Sequence, residues 1–149
     1  MTAAHNDIDD ASQQSGTTFF GCRGARLRAK SVTGLSVISI SGEIDASNAD
    51  ELSHRAGELA SERAALIVDL AGVDFIALDG LHALFALNMQ CARAGTTWAV
   101  IAGHAVKRLL RVADHDKLVP AVGSATEALL LVRRSSRAHR SLQLVSPSG

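Results

Sequence analysis

The spacing of apolar and polar positions changes along the chain, and each change of period predicts an element. From Ala25 to Val32, ARLRAKSV sets Arg26, Arg28 and Lys30 on one side and small or apolar residues on the other. That is the pattern of a strand at a sheet edge with one wet face. Gly34 supplies a turn. Leu35 to Ser41, LSVISIS, then alternates Leu35, Val37 and Ser39 against Ser36, Ile38 and Ile40, so the two strands read as an antiparallel hairpin. Gly42-Glu43-Ile44-Asp45 reads as a loop. Ser47-Asn48-Ala49-Asp50 reads as a capping box with Asp50 at the third helical position. The helix it opens runs to about Ser61, with Leu52, Ala56 and Leu59 on one face.

The organising stretch is Leu66 to Leu84, LIVDLAGVDFIALDGLHAL. Its apolar start lacks alternation, as in a strand covered on both faces. Asp69-Leu70 closes the strand, four residues of turn chemistry follow (71–74), and then come Phe75-Ile76 and an Asp79-Gly80 step. A helix is predicted from Gly80 to about Ala94, with Asp79 as its N-cap. Its inner stripe is Leu81, Leu84, Phe85 and Ala92, and its outer stripe is His82, Ala86, Met89 and Arg93. Gly95 ends it. Thr96 to Ala102 is a further strand, and His104 to Ala113 a helix with Val106, Leu109, Leu110 and Ala113 inward. Leu118 to Val122, with Pro120, makes a short edge strand. Ser124-Ala-Thr-Glu127 is another capping box, opening a helix to about Val132. Strands alternating with helices favour right-handed crossovers and a parallel centre. The expected fold is α/β: a mixed four- to five-stranded sheet with about four helices, mostly on one face.

Composition narrows the function classes. Lys plus Arg equals Asp plus Glu, 15 each, which argues against a dedicated nucleic-acid binder with its basic field. No apolar run approaches the roughly 20 residues of a membrane span, and the first residues lack the basic start and apolar core of a signal peptide. A cytoplasmic location follows as an expectation. Cys22 and Cys91 have no metal-type spacing; Cys91 reads as inert packing and a bridge to Cys22 is disfavoured. Residues 1–18 carry Asp7, Asp9 and Asp10 without Lys or Arg and read as a disordered acidic tail. Residues 133–149, with Arg133, Arg134, Arg137 and Arg140, read as a flexible basic one, leaving a domain over 19–132.

Three segments together resemble the STAS domain, the fold of bacterial anti-sigma-factor antagonists. ISGEIDASNADEL (Ile40 to Leu52) is similar to that family's strand, Gly-Glu-Leu/Ile-Asp loop and helix. LIVDLAGVDFIALDGLHAL is similar to its strand, Phe-Ile/Met pair and the Gly-Leu that opens a recognition helix. AVKRLLRVADHDKLVPAVGSATEAL (Ala105 to Leu129) is similar to its late helix, short strand and final helix. The resemblance implies a protein-binding regulator rather than an enzyme, with no cofactor. Its implied partner is a histidine-kinase-like anti-sigma factor, which releases its sigma factor when bound. That partner reverses binding by phosphorylating a serine in an Asp-Ser-Ser-Gly loop, which adds roughly −1.5 to −2 charge to the docking surface. Here Ala77-Leu78-Asp79-Gly80 stands in that place, with Leu78 at the position of the phosphorylated serine and no hydroxyl in the loop. The expectation is an antagonist-like module that cannot be switched off there.

The candidate partner-binding residues are therefore Glu43, Asp45, Ala77, Leu78, Asp79, Gly80, His82, Met89 and Arg93. Plainer roles stand beside each. Asp79 caps a helix, mimics a phosphate, or does both. Glu43 and Asp45 face a partner's basic residues or water. His82, Met89 and Arg93 meet a partner or another element of the fold. Asp114-His115-Asp116 has the residue types of a metal or acid/base cluster, but neighbours in a loop diverge, and a solvated loop is the expectation. No Ser-His-Asp, Cys-His or metal constellation is identifiable. A sensor of nucleotides or lipids on the same fold, or a scaffold in a signalling complex, is the alternative; no Gly-rich phosphate cradle supports a nucleotide site. Neither nucleic acid nor membrane is an expected partner, and the oligomeric state, monomer or weak dimer, stays open.

Overall fold

The computed structural model describes residues 17–32 and 34–134. The expected tails fall mainly on 1–16 and 135–149, outside the described residues. Six strands form one sheet in the order β1 to β6: β1 (Thr17–Cys22), β2 (Ala25–Val32), β3 (Leu35–Ile44), β4 (Ala65–Ile76), β5 (Thr97–Ala102) and β6 (Ala121–Val122). β1, β2 and β3 pair antiparallel, and β3 through β6 pair parallel. The helices are α1 (Ala49–Ala60), α2 (Leu78–Ala94), α3 (His104–Ala113) and α4 (125–134 among the described residues).

The pleat divides the core. Ile38 and Ile40 of β3, Leu66, Val68 and Leu70 of β4, and Trp98 and Val100 of β5 pack on α1, α2 and α3. Ala65, Ile67, Ala99 and Ile101 point the other way and meet Ala128 and Val132 of α4. β4 is thus covered on both faces, which is why its first residues show no alternation. The hairpin β2–β3, the parallel centre and the three-to-one division of helices match the expected fold, and the strand count exceeds it by one.

That extra strand is β1, whose Thr17 and Thr18 had been expected in a tail. It pairs with β2 from Thr17↔Lys30 to Cys22↔Ala25. β2 is therefore not an edge strand, although Arg26, Arg28 and Lys30 are exposed as expected. A wet face concerns side chains, an edge concerns unpaired backbone groups, and the first does not imply the second. TTFFGC shows no period-two burial, so its pattern carried no strand signal.

Two expected loops are strand. Gly42 to Ile44 continue β3, and residues 71–74 continue β4, through the pairs Ser41↔Gly72, Gly42↔Val73, Glu43↔Phe75 and Ile44↔Ile76. Register shifts beside Ser41 and Gly42 absorb the irregularity. Gly42 sits at φ 97°, and a Cβ there would strike the Gly24 carbonyl oxygen.

Capping went differently from expectation at two helices. α1 starts at Ala49 after Asn48, and Ser47 does not cap it; the Ser47 hydroxyl donates to Asp45 Oδ1 at 2.6 Å. α2 starts at Leu78, with Ala77 in the cap position, so Asp79 is its second residue rather than its N-cap. Asp79 still favours the first turn through the helix dipole. The buried stripe of α2 is Gly80, Leu81, Leu84, Leu87 and Cys91, with Phe85 partly buried and Ala92 exposed. At α4 the capping box forms: the Glu127 N–H donates to Ser124 Oγ at 3.2 Å and the Gly123 N–H to Glu127 Oε1 at 3.1 Å.

Asp114 is also not part of a solvated loop. It is buried, and its carboxylate accepts the N–H groups of Leu118 (2.9 Å) and Val119 (3.0 Å), which fixes the approach to β6. His115 and Asp116 are exposed. Among the described residues no group of three or more His, Cys, Asp or Glu side chains converges as a metal site. No helix among them is long and apolar enough to cross a membrane.

Candidate docking face

The C-terminal ends of β3 and β4 lie side by side, and the two loops that leave them form one surface. Ile44 is in register with Ile76, and the Ala77 N–H donates to the Ile44 carbonyl at 2.8 Å. The chain from Asp45 to Asn48 therefore runs beside Ala77 and the start of α2. The first turn of α2 closes through the Gly80 N–H on the Ala77 carbonyl, 2.8 Å. Gly80 rests directly on the strand ends. A Cβ there would lie 2.5 Å from Ile76 Cγ1 and 3.0 Å from Ile44 Cγ2.

Such close seating turns the opposite side of α2 outward. Leu78 is 53% exposed, and Phe75, at the last turn of β4, is 51% exposed. From Leu78 an exposed stripe continues through His82, Ala86, Met89 and Arg93. These positions recur at helical spacing over fifteen residues, or about 22 Å. Met89 is 56% exposed. An apolar head, a polarizable thioether and a terminal cation along one helix face suit an adaptable protein contact.

The other half of the surface is acidic. Glu43 is exposed, opposite Phe75 in the ladder. Asp45 accepts the Ser47 hydroxyl at 2.6 Å and the Ser47 N–H at 2.9 Å through one oxygen. The hydroxyl hydrogen bond first, and the amide bond second, hold its carboxyl below the usual range, so it stays ionised. Both bonds satisfy Asp45 locally and leave its second oxygen for other contacts.

The nine residues singled out from the sequence lie at the end of β3 (Glu43), on the two loops or on α2, with Gly80 buried against the strand ends. Three others belong with them. Phe75 is a second exposed apolar side chain near the strand end, Ser47 sets the state of Asp45, and Asn48 is buried beneath the acidic loop. Phe75 was legible as part of a Phe-Ile pair, but its outward direction depends on the strand continuing through residues 71–74. Both cysteines are unbridged and buried. Burial pushes the Cys91 thiol up to about 12; burial, together with a 3.2 Å hydrogen bond to Glu51, raises Cys22 to about 11.

The STAS domain profile matches residues 26–128. The chain belongs to the STAS domain family. It is 31% identical over 101 residues to the anti-sigma-F factor antagonist RsfB of Mycobacterium tuberculosis, a span covering 67% of this chain and 83% of that one. It is 29% identical over 110 residues to osmosensory protein A of the same species, covering 71% and 70%. Among solved structures, an anti-sigma factor antagonist from Mycobacterium paratuberculosis superposes with a TM-score of 0.66 at 32% identity, over 73% of this chain and 94% of that one. This chain is thus a STAS domain like those of anti-sigma-factor antagonists, and its residues 77–80 carry no hydroxyl.

Proposed function

We propose that this chain is an anti-sigma-factor antagonist that docks a histidine-kinase-like anti-sigma factor through Glu43, Asp45, Leu78, Asp79 and the outward stripe His82, Met89 and Arg93. The observation that carries the reading is Leu78. It is 53% exposed at the first residue of α2, three positions after Phe75, which is 51% exposed. An exposed leucine at a helix start is an apolar anchor of the kind that carries binding energy at interface centres. A serine here would make the surface switchable through an added phosphate; leucine removes that switch and adds apolar contact. The module is constitutively competent, and any control acts elsewhere.

The space between α1, α2 and the sheet, lined by Ile44, Leu52, Gly80 and Leu84, is only about 30 Å³. A nucleotide or lipid needs roughly ten times more, which supports docking over a ligand in that space. The test is calorimetric titration of the purified chain against the kinase-like anti-sigma factors of its source organism, with and without bound sigma factor. Binding with sigma release is the expected result. Leu78→Asp should weaken it at least tenfold, as a buried unpaired charge would. Incubation with the bound kinase and ATP should place no phosphate on residues 77–80; a phosphate there, mapped by mass spectrometry, contradicts the reading.

A further inference from the structure

Asn48 stands at the N-cap position of α1 and is only 1% exposed, yet its side chain makes no capping hydrogen bond. An asparagine in that position ordinarily accepts from its own helix's first amides, a contribution of about 1 kcal/mol. That contribution is absent because the carboxamide is turned toward two other segments. Its Nδ2 donates to the carbonyls of Cys22 (3.1 Å), Arg23 (3.0 Å) and Glu43 (2.9 Å), and its Oδ1 accepts the Asp45 N–H at 3.0 Å. Two N–H bonds serve three acceptors, so at least one is shared. A second tie runs parallel, from the Glu43 N–H to the Gly24 carbonyl at 3.0 Å. It exists because Gly42 has no Cβ to strike that oxygen. One buried side chain thereby joins the β1–β2 turn, the end of β3 and the loop to α1.

We propose that Asn48 is the positioning residue of the docking face: it fixes the backbone at Glu43 and Asp45, and hence the direction of both carboxylates, by tying them to the β1–β2 turn. The proposal rests on the reading that these carboxylates face a partner, and it defines the matching patch as basic. It also gives β1 a role beyond adding a sheet edge. The turn from Cys22 to Gly24, with Arg23 at φ 39° and Gly24 at φ 94°, is the fixed post to which the acidic loop is fastened.

The test uses the full chain and two substitutions. Asn48→Ala removes every contact. Asn48→Asp keeps an acceptor for the Asp45 N–H but sets a carboxylate against three carbonyls, so it should perform no better than alanine. Amide hydrogen exchange by NMR, at a temperature where circular dichroism shows both variants folded, needs no partner. The amides of Glu43 and Asp45 should exchange about tenfold faster or more in both variants, while those of Val68 and Val100 stay protected. Unchanged exchange at Glu43 and Asp45 overturns the proposal, as does equal loss of protection at Val68 and Val100, which would make Asn48 a residue of the whole fold. Affinity for the histidine-kinase-like anti-sigma factor is then measured in a cycle with Glu43→Gln plus Asp45→Asn. Asn48→Ala should weaken binding about tenfold in the native background and less than about twofold when the carboxylates are already gone. Equal losses in both backgrounds overturn it. A native chain that does not bind the anti-sigma factor refutes the docking reading alone, and the exchange data then decide the role of Asn48.

Discussion

Gly80→Ala tests how the proposed docking face is seated. Alanine in a helix is ordinarily favoured over glycine by about 1 kcal/mol, so the substitution should stabilise if only α2 mattered. The added methyl, however, would stand 2.5 Å from Ile76 Cγ1, 2.8 Å from Ile76 Cδ1 and 3.0 Å from Ile44 Cγ2. Neither isoleucine is a compliant neighbour. Both are buried, their strands are in register at that pair, and the Ala77 amide locks the ends together. β-Branched side chains have few χ1 choices, and moving each about 30° off its rotamer costs of order 0.5–1.5 kcal/mol. Overpacking of this kind costs about 1–3 kcal/mol, which exceeds the propensity gain. The expected net effect is a loss of about 1–2 kcal/mol in urea unfolding, or a fall of a few degrees in Tm for a chain of this size.

A double-mutant cycle separates the clash from other causes. Ile76→Ala alone should cost about 2–4 kcal/mol through the cavity it leaves. In that background the methyl at position 80 has room, so Gly80→Ala should become neutral or stabilising by up to about 1 kcal/mol. A stabilising Gly80→Ala in the native background would refute the seating argument, and so would the same penalty with and without the Ile76 side chain. The relief available to the native-background variant is to lift the first turn of α2, which displaces Leu78. Anti-sigma-factor affinity should therefore fall by more than the change in folded population explains.

Asp114→Ala should destabilise by about 1–3 kcal/mol, because it leaves the buried Val119 amide and the part-buried Leu118 amide without their acceptor; urea midpoints check this, and a loss under about 0.5 kcal/mol would contradict it. Ser47→Ala should return the Asp45 carboxyl toward the ordinary range, read from its carboxyl carbon shift in an NMR titration. Because the folded value is depressed, the order this turn lends the loop is present above the unfolded carboxyl pKa and is lost as pH falls through the folded one, so amide exchange at Ser47 should rise in acid. Cys22 and Cys91 have the opposite sign. Their folded values, about 11 and about 12 against 9.0, are raised, so their stabilising contribution is complete below pH 9 and lost as pH climbs toward 12. Stability should fall across that window, less so in Cys22→Ser plus Cys91→Ser. At pH 8 neither native thiol should react with a disulfide reagent until denaturant is added.

The parts of the fold that were legible in the sequence are those where local and tertiary demands agree. The amphipathic helix at His104–Ala113 matches to the residue, because its inward positions repeat at 3.6 and Gly103 and Asp114 bound it. The Ser124–Glu127 capping box formed because nothing else in the described fold competes for either side chain. Ser47 and Asn48 carry an equally good local signal, yet both side chains are taken by contacts the local pattern does not contain. Ser47 goes to Asp45, and Asn48 goes to a turn twenty-five residues earlier. The same holds for residues 71–74. Glycine and aspartate there read as a turn, but pairing with β3 pulls them into strand, and that pairing decides which way Phe75 faces.

The proposed docking face draws on both kinds of information, and this determines how its parts should respond to substitution. The stripe from His82 to Arg93 follows from helix periodicity alone, so exposed changes along it should alter binding while leaving stability within about 0.5 kcal/mol. Glu43 and Asp45 take their direction from Asn48 and from the β1–β2 turn. Changes at Cys22 to Gly24, distant in sequence and outside the contact itself, should therefore act on affinity through the acidic loop. Arg23→Pro is the sharpest case. Proline cannot adopt the φ of 39° found there, so the turn must rebuild and the Asn48 acceptors move. Binding should drop while the β4–β5 centre, paired independently from Ala65↔Thr97 to Leu70↔Ala102, keeps its amide protection. Retained affinity in this variant would mean that the acidic loop holds its shape without the turn.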